Sequence, residues 1–145
     1  MEHSPLLAPV VALVAWTLIV MLWMFIARGT QFRELGVNLN TIPLGARGTD
    51  LDGKGNPKAQ WKSHNYNHLM EQPTIFYAIV FALILMDFDA PINVWLAWGY
   101  VAFRVVHSIV QATVNVVAYR FLFFLLASLC LIGLTLHAAL RLIPG

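Results

Sequence analysis

The sequence predicts an all-α integral membrane protein, a four-transmembrane-helix bundle. Three observations carry that expectation. Of the 145 residues 59% are hydrophobic and only 11% are charged, and the mean hydropathy is +0.71, whereas a soluble domain carries about 25% charged residues. Apolar runs recur at residues 5–27, 64–86, 91–113 and 117–143, each near the ~20 residues needed to cross the hydrocarbon core. The polar residues gather in one long connection, 28–63, leaving only short turns between the later runs. Residues 1–145 therefore read as one membrane domain.

Residues 5–27 carry no charge. The tetrapeptide Met1-Glu2-His3-Ser4 lacks the positive segment of a cleaved signal, and the positive charges follow the run, so a retained first helix is expected. The connection 28–63 holds Arg28, Arg33, Arg47, Lys54, Lys58 and Lys62, six of the nine basic residues. Gly29, Gly36, Gly45, Gly48, Gly53 and Gly55 with Pro43 and Pro57 argue against a regular fold there. Asp50-Leu51-Asp52-Gly53-Lys54-Gly55-Asn56 resembles a calcium loop only in part, because Lys54 and Trp61 stand where oxygen ligands belong. A polar decapeptide, His64 to Pro73, opens the second apolar run. Asp87-Phe88-Asp89-Ala90 is a turn, and Pro91 suits the first position of the third helix. Arg104 and His107 interrupt that helix, and Asn115 marks its end. The fourth carries Arg120 near its start and Arg141 near its end. Trp16, Trp23, Trp95 and Trp98 are expected at the interfaces or facing lipid.

Charge sets the orientation. The long connection is basic, while the N-terminus and the 87–90 turn have no Lys or Arg, so the positive-inside rule puts the connection in the cytoplasm and both termini outside. Arg141 can snorkel to the outer interface. A formal charge of +2, with no basic stripe interleaved with aromatics, excludes nucleic acid as a partner. Membrane lipids are the surroundings. The single Cys130 excludes an internal disulfide, and it reads as a small packed hydrophobe.

Depth brings distant polar residues to one level. At 1.5 Å per residue Glu71 lies about 22 Å from the end of its helix, with Arg104 about 18 Å and His107 about 22 Å into theirs. Arg104, His107 and Gln111 share one helical face, as do His64, His68 and Glu71 with Asn67 beside them. An Arg104–Glu71 pair would neutralise two charges that neither helix buries well alone. The convergence is either a site or a structural ion pair. His64-x-x-x-His68-x-x-Glu71 also has metal-ligand spacing, but apart from His107 nothing completes it, so no metal is expected.

At these residues the chain resembles the MAPEG family, the membrane-associated proteins in eicosanoid and glutathione metabolism. The carrying motifs are Asn67-x-x-x-Glu71-x-Pro73 with Phe76-Tyr77, and Arg104-x-x-His107-Ser108 with Arg120-Phe121 later. In detail the chain is most similar to a bacterial branch. The resemblance implies a homotrimer in the bacterial inner membrane, with sites between subunits that open to the cytoplasm. It implies glutathione as co-substrate and a lipophilic electrophile or hydroperoxide as the second substrate. Arg120 matches the arginine beside the glutathione sulfur and is the implied catalytic residue. Glu71 matches the second-helix carboxylate, and Arg104 and His107 match the third-helix pair. His64 stands where glutathione users carry arginine, His68 where they carry asparagine, with Asn67 displaced by one, and Gln111 where some carry tyrosine. Phe121 and Phe124 stand where hydroxyl groups occur. Two readings stay open: a glutathione-dependent transferase or peroxidase, and a non-catalytic membrane module that binds lipid or serves as an accessory subunit.

Overall fold

The computed structural model describes residues 2–145. Four helices follow one another, α1 Leu7–Leu35, α2 Pro57–Leu85, α3 Pro91–Thr113 and α4 Val117–Leu142, with one short 3-10 turn, Gly48–Leu51, in the first connection. No strand occurs among the described residues. Helices α1, α2 and α4 are each long and apolar enough to cross a membrane. Helix α3 has the length but carries its polar residues on a buried face, which holds Asn93, Arg104, His107, Ser108 and Gln111.

Two helices extend further than the apolar runs. Helix α1 continues to Leu35 rather than stopping near residue 27. Arg28, Gln31, Arg33 and Glu34 end the hydrophobic run but are good helix formers, so leaving the membrane does not end the helix. Gly36 ends it, with φ 64°, its N–H on Arg33 O at 3.3 Å and the Val37 N–H on Phe32 O at 2.9 Å. That left-handed stop is open to glycine at no steric cost. Helix α2 begins at Pro57 rather than near residue 64, because Asn56 accepts from the Lys58 N–H at 3.0 Å and Pro57 takes the first helical position. The connection is therefore shorter than the polar segment, and of that segment's glycines only Gly29 falls within an α-helix, α1. Pro73 lies buried inside α2 without ending it.

The connection is tied down by two amides. Gln31 of α1 donates to Leu51 O at 3.4 Å and Lys54 O at 2.9 Å, and Gln60 of α2 donates to the same carbonyls at 2.6 and 3.2 Å. The turn that resembled a calcium loop thus spends two of its carbonyls on amide donors. The short bond of each amide, 2.9 Å for Gln31 and 2.6 Å for Gln60, contributes about 1 kcal/mol. Replacing both glutamines with alanine is expected to ease local opening of residues 37–55 by about 2 kcal/mol, roughly thirtyfold. Limited proteolysis in detergent reads that change, with helix content by circular dichroism unaltered.

The core runs down the inner stripes of all four helices, through Leu13 and Val20 of α1, Leu69, Phe76, Val80 and Leu83 of α2, Ala97 and Tyr100 of α3, and Ala127 and Leu134 of α4. Phe76 and Tyr100 stack at 4.2 Å with an interplanar angle of 11°. Helices α3 and α4 pack closely because glycine faces a side chain twice. A Cβ at Gly99 would lie 3.1 Å from Cys130 Sγ, and one at Gly133 would lie 3.1 Å from a Leu96 methyl. Gly133→Val is expected to push the two helices apart at a cost of about 1–3 kcal/mol, read as a lower midpoint of denaturation in detergent. Outward side chains of α1 and α4, among them Val11, Ile26, Leu129 and Leu136, are apolar and exposed, as lipid contact requires.

Candidate functional site

The α3 face expected from its 104/107/111 spacing is the most buried polar stripe of the bundle. Arg104 is 1% exposed, His107 4%, Ser108 0% and Gln111 1%. Helix α2 meets it with His68, whose ring centroid lies 5.9 Å from that of His107. Helix α4 meets it with Phe124, 6.3 Å from His107, and with Arg120, close enough to act electrostatically on both histidines.

This cluster holds more donors than acceptors. Arg104 spends one hydrogen bond, from Nη2 to His68 O at 3.1 Å. Its Nε and Nη1, the Arg120 Nε, the His107 Nδ1 and the Gln111 Oε1 are all shielded and lack a protein partner. Buried polar atoms are nearly always paired, and a buried guanidinium left unpaired is costly. Arg104 and Arg120 both flank the histidine pair, and the only carboxylates within 4.0 Å of a basic side chain among the described residues belong to Asp52 and Glu71, both facing histidines, with Glu71 near enough to act electrostatically on Arg104 without pairing with it. The arrangement is a cradle for an anion.

The expected Arg104–Glu71 pair is not formed. The Glu71 side chain is 69% exposed and its Oε2 lies 4.0 Å from His68 Nδ1. Helical phase explains the difference. The buried stripe of α2 runs through Asn65, Leu69, Pro73, Phe76 and Val80, and Glu71 is two residues past Leu69, about 200° around the helix from the inward direction. His64, His68 and Glu71 do share a face, but only His68, at its inner edge, reaches α3, 5.9 Å from His107 between ring centroids, while Glu71 points outward. His64 Nε2 is 3.5 Å from Asp52 Oδ1, so the two histidines face different carboxylates. Among the described residues no group of three His, Cys, Asp or Glu side chains is placed to hold a metal. Asn67 is exposed and lines, with His64, a separate cavity under the first connection. The sequence-derived set is thus divided: Arg104, His107, Gln111, His68 and Arg120 meet, while Glu71, His64 and Asn67 face outward.

Several polar residues of this region were not evident in the sequence. Tyr100 donates to Gln72 Oε1 at 3.1 Å, Gln72 donates to Ser128 Oγ at 2.9 Å, and Ser128 donates to Phe124 O at 2.8 Å. That chain links α3, α2 and α4 one turn beyond Arg104. Trp16, expected at an interface or facing lipid, instead donates its indole N–H to Ser108 Oγ at 2.9 Å. The available signal was spacing: Tyr100 precedes Arg104 by four residues and so shares its face.

The family model described as MAPEG family matches residues 6–140. The chain belongs to the MAPEG family. No curated protein matches the chain, and no solved structure matches it. Membership makes it a membrane protein of a helical-bundle family associated with glutathione-related transferase and peroxidase chemistry, whose members generally use glutathione and are typically trimers. Glutathione is an anion at neutral pH, with two carboxylates, one ammonium group and a thiol. The cradle fits the anionic part of such a molecule: the unpaired Arg104 and Arg120 donors and His107 Nδ1 are what a carboxylate or thiolate would satisfy.

Proposed function

We propose that this MAPEG protein is a membrane-embedded, glutathione-dependent transferase or peroxidase acting on lipophilic electrophiles or hydroperoxides. The supporting observation is the buried Arg104, with shielded Nε and Nη1 lacking a partner, beside the half-buried Arg120, whose Nε is shielded and unpaired, neither arginine having a carboxylate within 4.0 Å.

In this reading Arg120 is the catalytic residue. A free thiol ionises near pH ~8.5, so little thiolate exists at neutral pH. A fixed guanidinium in a dry site stabilises the thiolate and raises its population. Arg104 and His107 hold a carboxylate of the peptide, Gln111 and His68 border it, and Glu71 holds the ammonium at the outer edge. His64 and Asn67 stand on the neighbouring α2 face. With an electrophile, a sulfur–carbon bond forms and the leaving group departs with its electron pair. With a hydroperoxide, two thiols are oxidised to one disulfide, and the hydroperoxide becomes an alcohol and water.

The outward direction of Glu71 suits a homotrimer in which a neighbour closes the site, and the exposed apolar faces supply surface for it. The basic first connection supports a bacterial inner-membrane orientation with that connection cytoplasmic and both termini outside. One observation favours the alternative of a non-catalytic lipid-binding or accessory subunit: Phe124, a ring without a hydroxyl, is the α4 neighbour of His107. Glutathione titration of the protein in lipid discs, followed calorimetrically, separates the two. Saturable binding at or below millimolar concentration is expected of the enzyme, together with conjugation of 1-chloro-2,4-dinitrobenzene. A flat titration at millimolar glutathione removes the enzyme reading.

A further inference from the structure

The cavity under the first connection is separate from the arginine cluster and has a volume of about 990 Å³, at the upper end of the ~300–1,000 Å³ typical of ligand pockets. Its lining is graded along α1. Met24 and Phe25 belong to the charge-free part of that helix, one turn before Arg28, the first charge after the membrane run. Beyond them the walls carry Arg28, Arg47 and Lys54.

These three cations exceed the local anions. None has a carboxylate within 4.0 Å among the described residues. Asp50 Oδ2 accepts from the Arg47 backbone N–H at 2.7 Å, and Asp52 faces His64 at 3.5 Å. Arg28 makes one long bond, 3.4 Å to Gln31 Oε1, and its Nη2 reaches under Gly48, where a Cβ would stand only 3.0 Å away. Glycine at 48 thus keeps room for the guanidinium at the cavity wall. A second feature points to a ligand: Ser63 lines the same cavity, is 3% exposed, and its Oγ has no partner. Leu39 and Leu44, in the wall formed by the connection, are exposed apolar residues within a polar segment, as befits a surface lying in the membrane interface.

We propose that this cavity binds an amphiphile with a single anionic head group, the head held by Arg28, Arg47 and Ser63 and the acyl chain lying along Met24 and Phe25 toward the bilayer. Cationic side chains at the interfacial level with an apolar path into the membrane are the complement of such a molecule. A free fatty acid and an anionic phospholipid both present this chemistry. The inference does not depend on glutathione binding.

The test uses the full chain in phosphatidylcholine discs with 11-(dansylamino)undecanoic acid as fluorescent probe. Saturable binding is expected, weakened about tenfold or more in Arg28→Gln/Arg47→Gln, as loss of charge-assisted bonds worth ~1.5–3 kcal/mol implies. Displacement by palmitate assigns the site to free acids. Displacement by phosphatidylglycerol in the disc, but not by palmitate, assigns it to lipid. Displacement by neither, non-saturable binding, or equal binding by the folded double variant overturns the proposal. A measurement on the unaltered chain guards against a variant that does not fold. Photo-crosslinking with a diazirine-bearing fatty acid is expected to label Met24, Phe25 or Ile42, all in the cavity wall, and labelling confined to Val11, Leu18 and Leu22, exposed on α1 outside the cavity, overturns it. Probe binding in a protein that ignores glutathione would leave this inference standing alone, and the reverse result would leave only the proposed function.

Discussion

Arg104→Met is expected to stabilise the ligand-free protein while abolishing its response to glutathione. Arg104 is buried to 1% exposure and pairs only one of its donors, with a backbone carbonyl. Replacing a buried charge by a well-packed apolar side chain of similar reach is often neutral or stabilising by about 1–4 kcal/mol. If the donors left over hold a carboxylate, their removal costs binding about 2–5 kcal/mol, a weakening of roughly 30-fold to several thousand-fold. The two effects have opposite signs, which gives the experiment its power. Thermal denaturation in detergent with and without glutathione measures both. A variant that is strongly destabilised without ligand would make Arg104 a packing element and remove it from the site.

Arg120→Ala should leave the fold intact and lower turnover by about 10²–10³-fold, the usual consequence of removing one donor aimed at developing negative charge. Arg120 is half-buried at the start of α4 and forms no ion pair among the described residues, so little stability rests on it. The pH dependence carries the assignment. With the guanidinium present, the bound thiol ionises below its free value, and activity is already developed at neutral pH. Without it, ionisation returns toward ~8.5, so the deficit is largest at low pH and narrows as pH rises through that value. A pH–rate profile with 1-chloro-2,4-dinitrobenzene, parent against variant, reads this directly. A deficit independent of pH would assign Arg120 to binding rather than to the thiolate.

The bundle was legible because membrane spanning is a compositional property. Backbone polar groups in lipid must be satisfied within the segment, so long uncharged runs become helices, and residues 5–27 and the fourth run declare themselves without tertiary information. The α3 face was legible for a related reason: 104, 107 and 111 repeat at helical spacing, and side chains so spaced share a face on any helix. Helix ends outside the apolar runs were less so. The exit of α1 into water and its end at Gly36 are governed by different physics, solvation for one and left-handed backbone for the other.

The partner of that face was not legible. Depth puts Glu71, Arg104 and His107 at one level, but level alone does not say which way a side chain points. Rotation of α2 about its axis depends on the packing of Leu69, Phe76, Val80 and Leu83 against the other helices, long-range contacts that no local pattern encodes. A 200° difference in phase sends Glu71 outward and brings the His68 carbonyl to Arg104. Trp16 is a parallel case, drawn inward by Ser108 on another helix.

The sequence by itself determined the class, the four helices and the residues able to carry charge inside the membrane, because those follow from local composition and spacing. Only the tertiary structure decided which of those residues meet. It separated an inward cradle of Arg104, His107 and Arg120 from an outward face of His64 and Glu71, because helix rotation and approach are set by side chains distant in the chain.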